Sequence, residues 1–171
     1  EFKSQLTGGG ARANLFQVQI LNPIDSSADL KSAFMIKTAA LPESTVGEFV
    51  VPYFGREVKY AGDRKFGPWS VTILNDEDFL VRNSLEAWMN AINSHDSNTR
   101  ALPQDYKSNA LITQYGKDGS ALRTYVFEGM FPVSVDAIAM GWDTNDAIQE
   151  FGVTFSYDLW KVEGNTGNPT T

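Results

Sequence analysis

Residues 61–79 read AGDRKFGPWSVTILNDEDF. Three signals follow one another here. Gly62-Asp63-Arg64 reads as a charged turn closing a hairpin that lies upstream. WSVTILN reads as a short central strand with Val71 and Ile73 in the core. Asn75 then fits a helix N-cap, with Asp76, Glu77 and Asp78 in the first turn, where carboxylates favour the positive end of the helix dipole. The apolar residues Val81, Leu85, Trp88, Met89 and Ile92 follow at i, i+4, i+7, i+8 and i+11, one face of a helix. The pattern predicts an amphipathic helix over about residues 76–93, fraying in NSHDSNTR. No other segment reads as a convincing helix.

Upstream, NLFQVQIL alternates Phe16, Val18 and Ile20 against Gln17 and Gln19, the period of a strand. NPIDSSAD is turn chemistry, with Asn22-Pro23 as its initiator. LKSAFMIKTA, residues 30–39, reads as a second strand that ends before Leu41-Pro42. Residues 43–66 are β-rich but interrupted. Pro52 cannot donate to a ladder and belongs on an edge or a bulge, and Gly47 and Gly55 mark bends. This segment reads as a long hairpin projecting from the body. Its apolar residues Val46, Phe49, Val50, Val51, Tyr53 and Phe54 are too many for a solvated loop. A segment that is apolar yet irregular is completed by a partner surface.

Downstream, NALITQYG and ALRTYVFEGMFPVSV flank Lys117-Asp118-Gly119 and predict a hairpin. WDTNDA is a loop. QEFGVTFSYDLW is the clearest strand, with Phe151, Val153, Phe155, Tyr157 and Leu159 on one face. The fold class is therefore mainly β, an antiparallel sandwich or barrel with one flanking amphipathic helix. Trp88, Leu85, Phe151, Val153 and Phe155 are the core candidates. One domain spans residues 14–160. Residues 1–13, with Gly8, Gly9 and Gly10, read as a flexible arm, and residues 161–171 as a flexible tail.

The chain has 171 residues and a formal charge of −7, so phosphate neutralisation is not its mode of contact with nucleic acid. It has no cysteine, which excludes disulfides and thiolate metal sites. No apolar run approaches the roughly 18 residues of a spanning helix. Asp76, Glu77 and Asp78 could serve as metal ligands or as an acid–base pair, but helix capping accounts for all three. Asp143, Asn145, Asp146 and Glu150 fail the calcium-loop spacing, lacking the sixth-position glycine and the glutamate at position twelve. His95 is the one histidine, set among polar residues, and no nucleophile elbow accompanies it. Trp69, Trp88, Trp142 and Trp160 could form a stacking platform, although Trp88 already belongs to the helix face. The residues point to no enzyme, metal or cofactor. A monomeric binding module and a carboxylate hydrolase remain as rival classes.

TAALP at 38–42, AGDRKFGPWSVTILNDE at 61–77 and YDLW at 157–160 resemble, in order and spacing, the tail tube proteins of T4-like contractile phages. The resemblance runs from about Asn14 to Trp160. It implies a structural virion protein of the tail, assembled in the host cytoplasm. It implies hexameric rings whose inner sheets join, stacked into a hollow tube inside a contractile sheath. The implied partners are further copies of the chain, the sheath protein, the baseplate or tube initiator and the tail terminator. It further implies that DNA passes along the lumen without specific binding and that no membrane is involved. The tubes of contractile injection and type VI secretion systems are close alternatives. On this reading Val46, Phe49, Val50, Tyr53, Phe54, Asp63 and Arg64 are the ring-stacking and intersubunit candidates.

Overall fold

A computed structural model describes residues 11–143 and 147–163. In chain order the elements are β1 (Phe16–Ile20), a 3-10 turn (Ser26–Ala28), α1 (Asp29–Met35), β2 (Ile36–Ala39), β3 (Ser44–Tyr53), β4 (Arg56–Phe66), β5 (Trp69–Leu74), α2 (Leu80–Ile92), α3 (Pro103–Tyr106), β6 (Ser108–Tyr115), β7 (Ala121–Val135), β8 (Glu150–Ser156) and β9 (Leu159–Glu163). Seven strands pair in the order β1-β6-β7-β8-β5-β2, with β9 also on β7, and β3 and β4 form a separate ribbon. Every pairing is antiparallel.

The long strand β7 makes this architecture. Its first part lies between β6 and β9, and its last part, Phe131–Val135, pairs with β8. The change of partner falls at Gly129, whose φ of 67° is left-handed. A Cβ there would also lie 2.0 Å from the Asp158 carboxylate, so the bend needs glycine. The two halves of the sheet then face each other, and Trp69 of β5 stacks on Phe127 of β7 with ring centroids 4.6 Å apart. The halves do not close into a barrel: β1 and β2 remain edges. Trp69, Val71, Ile73, Phe127, Phe151, Val153 and Phe155 are buried between them.

Helix α2 lies over this core. Val81, Leu85 and Trp88 are buried, and Met89 and Ile92 are half-buried. Trp88 Nε1 donates to the Tyr106 carbonyl at 2.8 Å, which ties α3 to α2. The helix begins at Leu80 rather than at residue 76, and its N-cap is Phe79. Asn75 is therefore not the cap: its backbone N–H and its Nδ2 donate to the Gln149 carbonyl (2.8 Å) and Oε1 (3.2 Å). Asp76, Glu77 and Asp78 precede the helix instead of filling its first turn. Asp78 still accepts from the Leu80 N–H at 3.1 Å.

The chain also contains helices that the periodicity concealed. Residues 30–35 are not strand; only Ile36–Ala39 of that stretch extends. Asp25 caps the 3-10 turn by accepting from Ser27, and Asn22 Oδ1 accepts from Ile24 and Asp25. The turn launches α1. Ser32 is its buried residue, one turn after the buried Ala28 of the 3-10 turn, whereas Leu30 and Phe34 are about four-fifths exposed. Of its large apolar residues only Met35 packs against the core, so an apolar-face reading misses the helix. The small face lets α2 approach: Asn22 Nδ2 donates to Ser84 Oγ (2.8 Å) and to its carbonyl (3.0 Å).

The clearest strand is broken. At Tyr157–Asp158 the chain leaves β8 and returns as β9 beside β7, so Leu159 is exposed rather than in line with Phe155. The Asp158 N–H donates to the Glu128 carbonyl, and its carboxylate meets Lys107 Nζ at 2.8 Å. Lys161–Glu163, expected in the loose tail, are part of β9. Residues 164–171 and residues 1–10 of the expected arm lie outside the described residues.

Candidate functional site

The ribbon of β3 and β4 is the largest feature that the core does not explain. Every residue of both strands is exposed except Phe66, which is half-buried. Phe66 anchors the ribbon's base, with its ring 6.1 Å from Tyr157 and 6.4 Å from Trp160. The pairing runs from Ser44↔Phe66 to Tyr53↔Arg56. The tip is therefore Phe54-Gly55, not Gly62-Asp63-Arg64. Gly62 and Asp63 instead lie in a bulge opposite Gly47, between the pairs Val46↔Arg64 and Glu48↔Ala61. A Cβ on Gly62 would lie 3.2 Å from the Gly47 carbonyl oxygen, so the bulge relies on a close backbone approach. Asp63 and Arg64 form no ion pair among the described residues.

Opposed residues of an antiparallel pair share a face. Phe49 with Tyr60, Val51 with Val58, and Tyr53 thus make one apolar face, with the Phe49 and Tyr60 rings stacked at 5.5 Å. Glu48 and Lys59 lie on the other face, joined by a 3.4 Å ion pair. Val58 and Tyr60 complete the apolar face and are absent from a reading of residues 46–54 alone. Val46 and Val50 are also exposed. A two-stranded ribbon is marginal in water by itself. One with an apolar face and no core behind it presents a surface for a partner.

The remaining candidates do not converge on a site. Trp69 and Trp88 are fully buried and Trp160 is half-buried, so only Trp142 is open, and no stacking platform exists. Glu150 pairs with Lys37 at 2.8 Å, and Asn145 and Asp146 lie outside the described residues. No group of three or more His, Asp or Glu among the described residues could hold a metal ion. His95 is exposed beside Asp96. Among the described residues no helix is long and apolar enough to cross a membrane.

The acids before α2 have a tertiary partner. Lys31 Nζ, on α1, donates to Asp76 at 2.7 Å and to Asp78 at 2.5 Å. These bonds, helped by the Glu77 and Leu80 N–H groups, hold both carboxyls below their ordinary range, and the same contacts raise Lys31. Asp29 moves the other way because burial raises it, against a bond from the Asn22 N–H. Folded pKa values below the unfolded value of about 3.9 stabilise above that pH and lose the effect as pH falls through the folded values. For Lys31 the effect is complete below about pH 10 and is lost above it. Lys31→Met is therefore expected to lower Tm by no more than about 3 °C at neutral pH. The difference from wild type should shrink in melts recorded at pH values falling below about 3.9, as the two carboxylates become protonated in the folded state. A constant difference at all pH values would contradict the clamp.

The comparisons with known proteins bear on the same geometry. A profile of the phage tail tube protein family matches residues 11–163. The chain belongs to the phage tail tube protein family. Tail tube protein gp19 of Enterobacteria phage T4 is 34% identical to it over 157 residues, covering 91% of this chain and 93% of that protein. The tube-terminating cap of the anti-feeding prophage shares the fold at a TM-score of 0.68 and 16% identity, with 90% of this chain and 91% of that one covered. The sheath/tube terminator of an extracellular contractile injection system, PVC, does so at 0.67 and 15%, covering 90% and 96%. This tube protein is thus a structural component of the virion tail and not an enzyme.

Proposed function

We propose that copies of this chain form hexameric rings that stack into the hollow inner tube of a contractile tail, through which the genome is delivered. The observation that carries this reading is the β3–β4 ribbon: its apolar face is solvent-exposed in the single subunit and has no core of its own to cover it. The open strands β1 and β2 support ring formation, because an exposed edge is a liability that a neighbour's strand removes. Head-to-tail contacts that do not close then generate a stack. The charge of −7 suits a DNA conduit, since an acidic wall repels phosphate. Proteins of similar fold that terminate tubes and sheaths support sheath, baseplate and terminator proteins as the partners. The purified chain, raised in concentration and followed by sedimentation and negative-stain microscopy, is expected to yield rings and tubes of uniform width. A monomer at every concentration would overturn the reading.

A further inference from the structure

The ribbon must land somewhere on the next subunit, and two oddities of the backbone indicate where. The tip is a two-residue loop with φ of 48° at Phe54 and 73° at Gly55, the backbone of a type I′ turn. Such turns favour Asn-Gly, and a bulky residue with left-handed φ is an outlier. Phe54 is nevertheless there, 88% exposed and edge-on to Tyr53. Its φ therefore costs the isolated subunit without adding to the core. Strain of this kind collects where a contact is made.

The second bulky outlier is Phe79, with φ of 52° and 41% of its surface exposed. With Ile148, Ala147, Asp76 and Glu77 it borders a groove of about 530 Å³, apolar at Phe79 and Ile148 and acidic along its rim. Glu77 makes no ion pair among the described residues. The groove lies at the far end of the subunit from the ribbon. β5 starts at Trp69, three residues after Phe66 at the ribbon's base, and ends at Leu74, where Asn75–Phe79 begin. Six strand residues separate the two ends by about 20 Å. The charges also match. Arg56, Lys59, Arg64 and Lys65 outnumber Glu48, Glu57 and Asp63 in the ribbon, a net +1 in a chain of −7.

We infer that the ribbon tip of one copy docks in the Phe79–Ile148 groove of the next copy along the stack, Phe54 filling the groove and Arg56 meeting Glu77. The inference rests on the tube reading and names the surface that completes it. Donor and acceptor at opposite ends of one strand make the contact heterologous, which propagates instead of closing.

Phe54→Asn tests it, because Asn-Gly suits the turn better than Phe-Gly and the subunit stays folded. Its melt is expected at or above the wild-type temperature, while the concentration needed for tubes rises at least about tenfold. Arg56→Glu and Glu77→Arg are each expected to raise that concentration about threefold, and the two together to restore it. Phe54→Asn tubes at the wild-type concentration, or a double variant no better than the singles, would overturn the groove as the landing site. A variant with residues 46–64 replaced by a Gly/Ser turn separates the two readings. If it fails to polymerise while Phe54→Asn assembles normally, the ribbon still stacks rings but lands elsewhere. If it too forms normal tubes, ribbon-mediated stacking is wrong.

Discussion

Trp88→Ala is expected to destabilise the folded subunit by about 3–5 kcal/mol, the loss found when a large core side chain is deleted. Trp88 has no exposed surface, its ring packs 6.4 Å from Phe155, and its Nε1 donates to the Tyr106 carbonyl. Truncation leaves a cavity between α2 and the sheet and removes the donor that ties α3 to α2. Both terms act in the same direction. A urea melt of the subunit, held below its assembly concentration, reads the loss directly, and the corresponding thermal shift exceeds about 6 °C. Trp88→Phe keeps most of the volume and should lose much less. A change under about 1 kcal/mol for the alanine variant would mean that the helix face does not belong to the subunit's own core.

The Gly/Ser replacement of residues 46–64 is expected to have the opposite profile: stability nearly unchanged, assembly abolished. All side chains removed are exposed in the single subunit, and none belongs to the buried cluster. The cut falls at the Val46↔Arg64 pair, so Thr45↔Lys65 and Ser44↔Phe66 remain to hold the base, and Phe66 keeps its contacts with Tyr157 and Trp160. The melting temperature should therefore stay within a few degrees of wild type, while sedimentation shows no species above a ring. A variant that fails to fold would place the ribbon in the core after all. One that forms tubes of normal length would show the ribbon to be dispensable. Comparing this variant with Trp88→Ala separates residues that make the subunit from residues that join subunits.

Much of the ribbon was legible because its composition contradicts itself. Val46, Phe49, Val50 and Tyr53 are strand formers, yet Gly47, Pro52 and Gly55 deny them a central strand. The tip was not legible. Phe54-Gly55 lacks the usual residues of its turn, and Gly62-Asp63-Arg64, which has turn composition, is a bulge at Gly62 and Asp63 followed by a paired Arg64. Misplacing the tip hides Val58 and Tyr60, which reach the apolar face only through their pairing with Val51 and Phe49.

The amino-acid sequence by itself determined what short-range periodicity can carry: the strands around Val18, Ile73 and Val153, the β6–β7 hairpin and the apolar face of α2. These patterns repeat within a few residues, so neighbours alone specify them. Only the tertiary structure decided that α1 is a helix, because Ser32 is buried by an approach that Asn22 and Ser84, 62 residues apart, make possible. It decided that Asp76 and Asp78 share Lys31, some 45 residues earlier, with only Asp78 also bonding the first N–H of α2. It decided that β7 changes partner at Gly129, where the carboxylate of Asp158 leaves no room for a side chain. Each of these rests on groups far apart in the chain, whose contact free energy overrides local preference and leaves no periodic trace in the residues themselves.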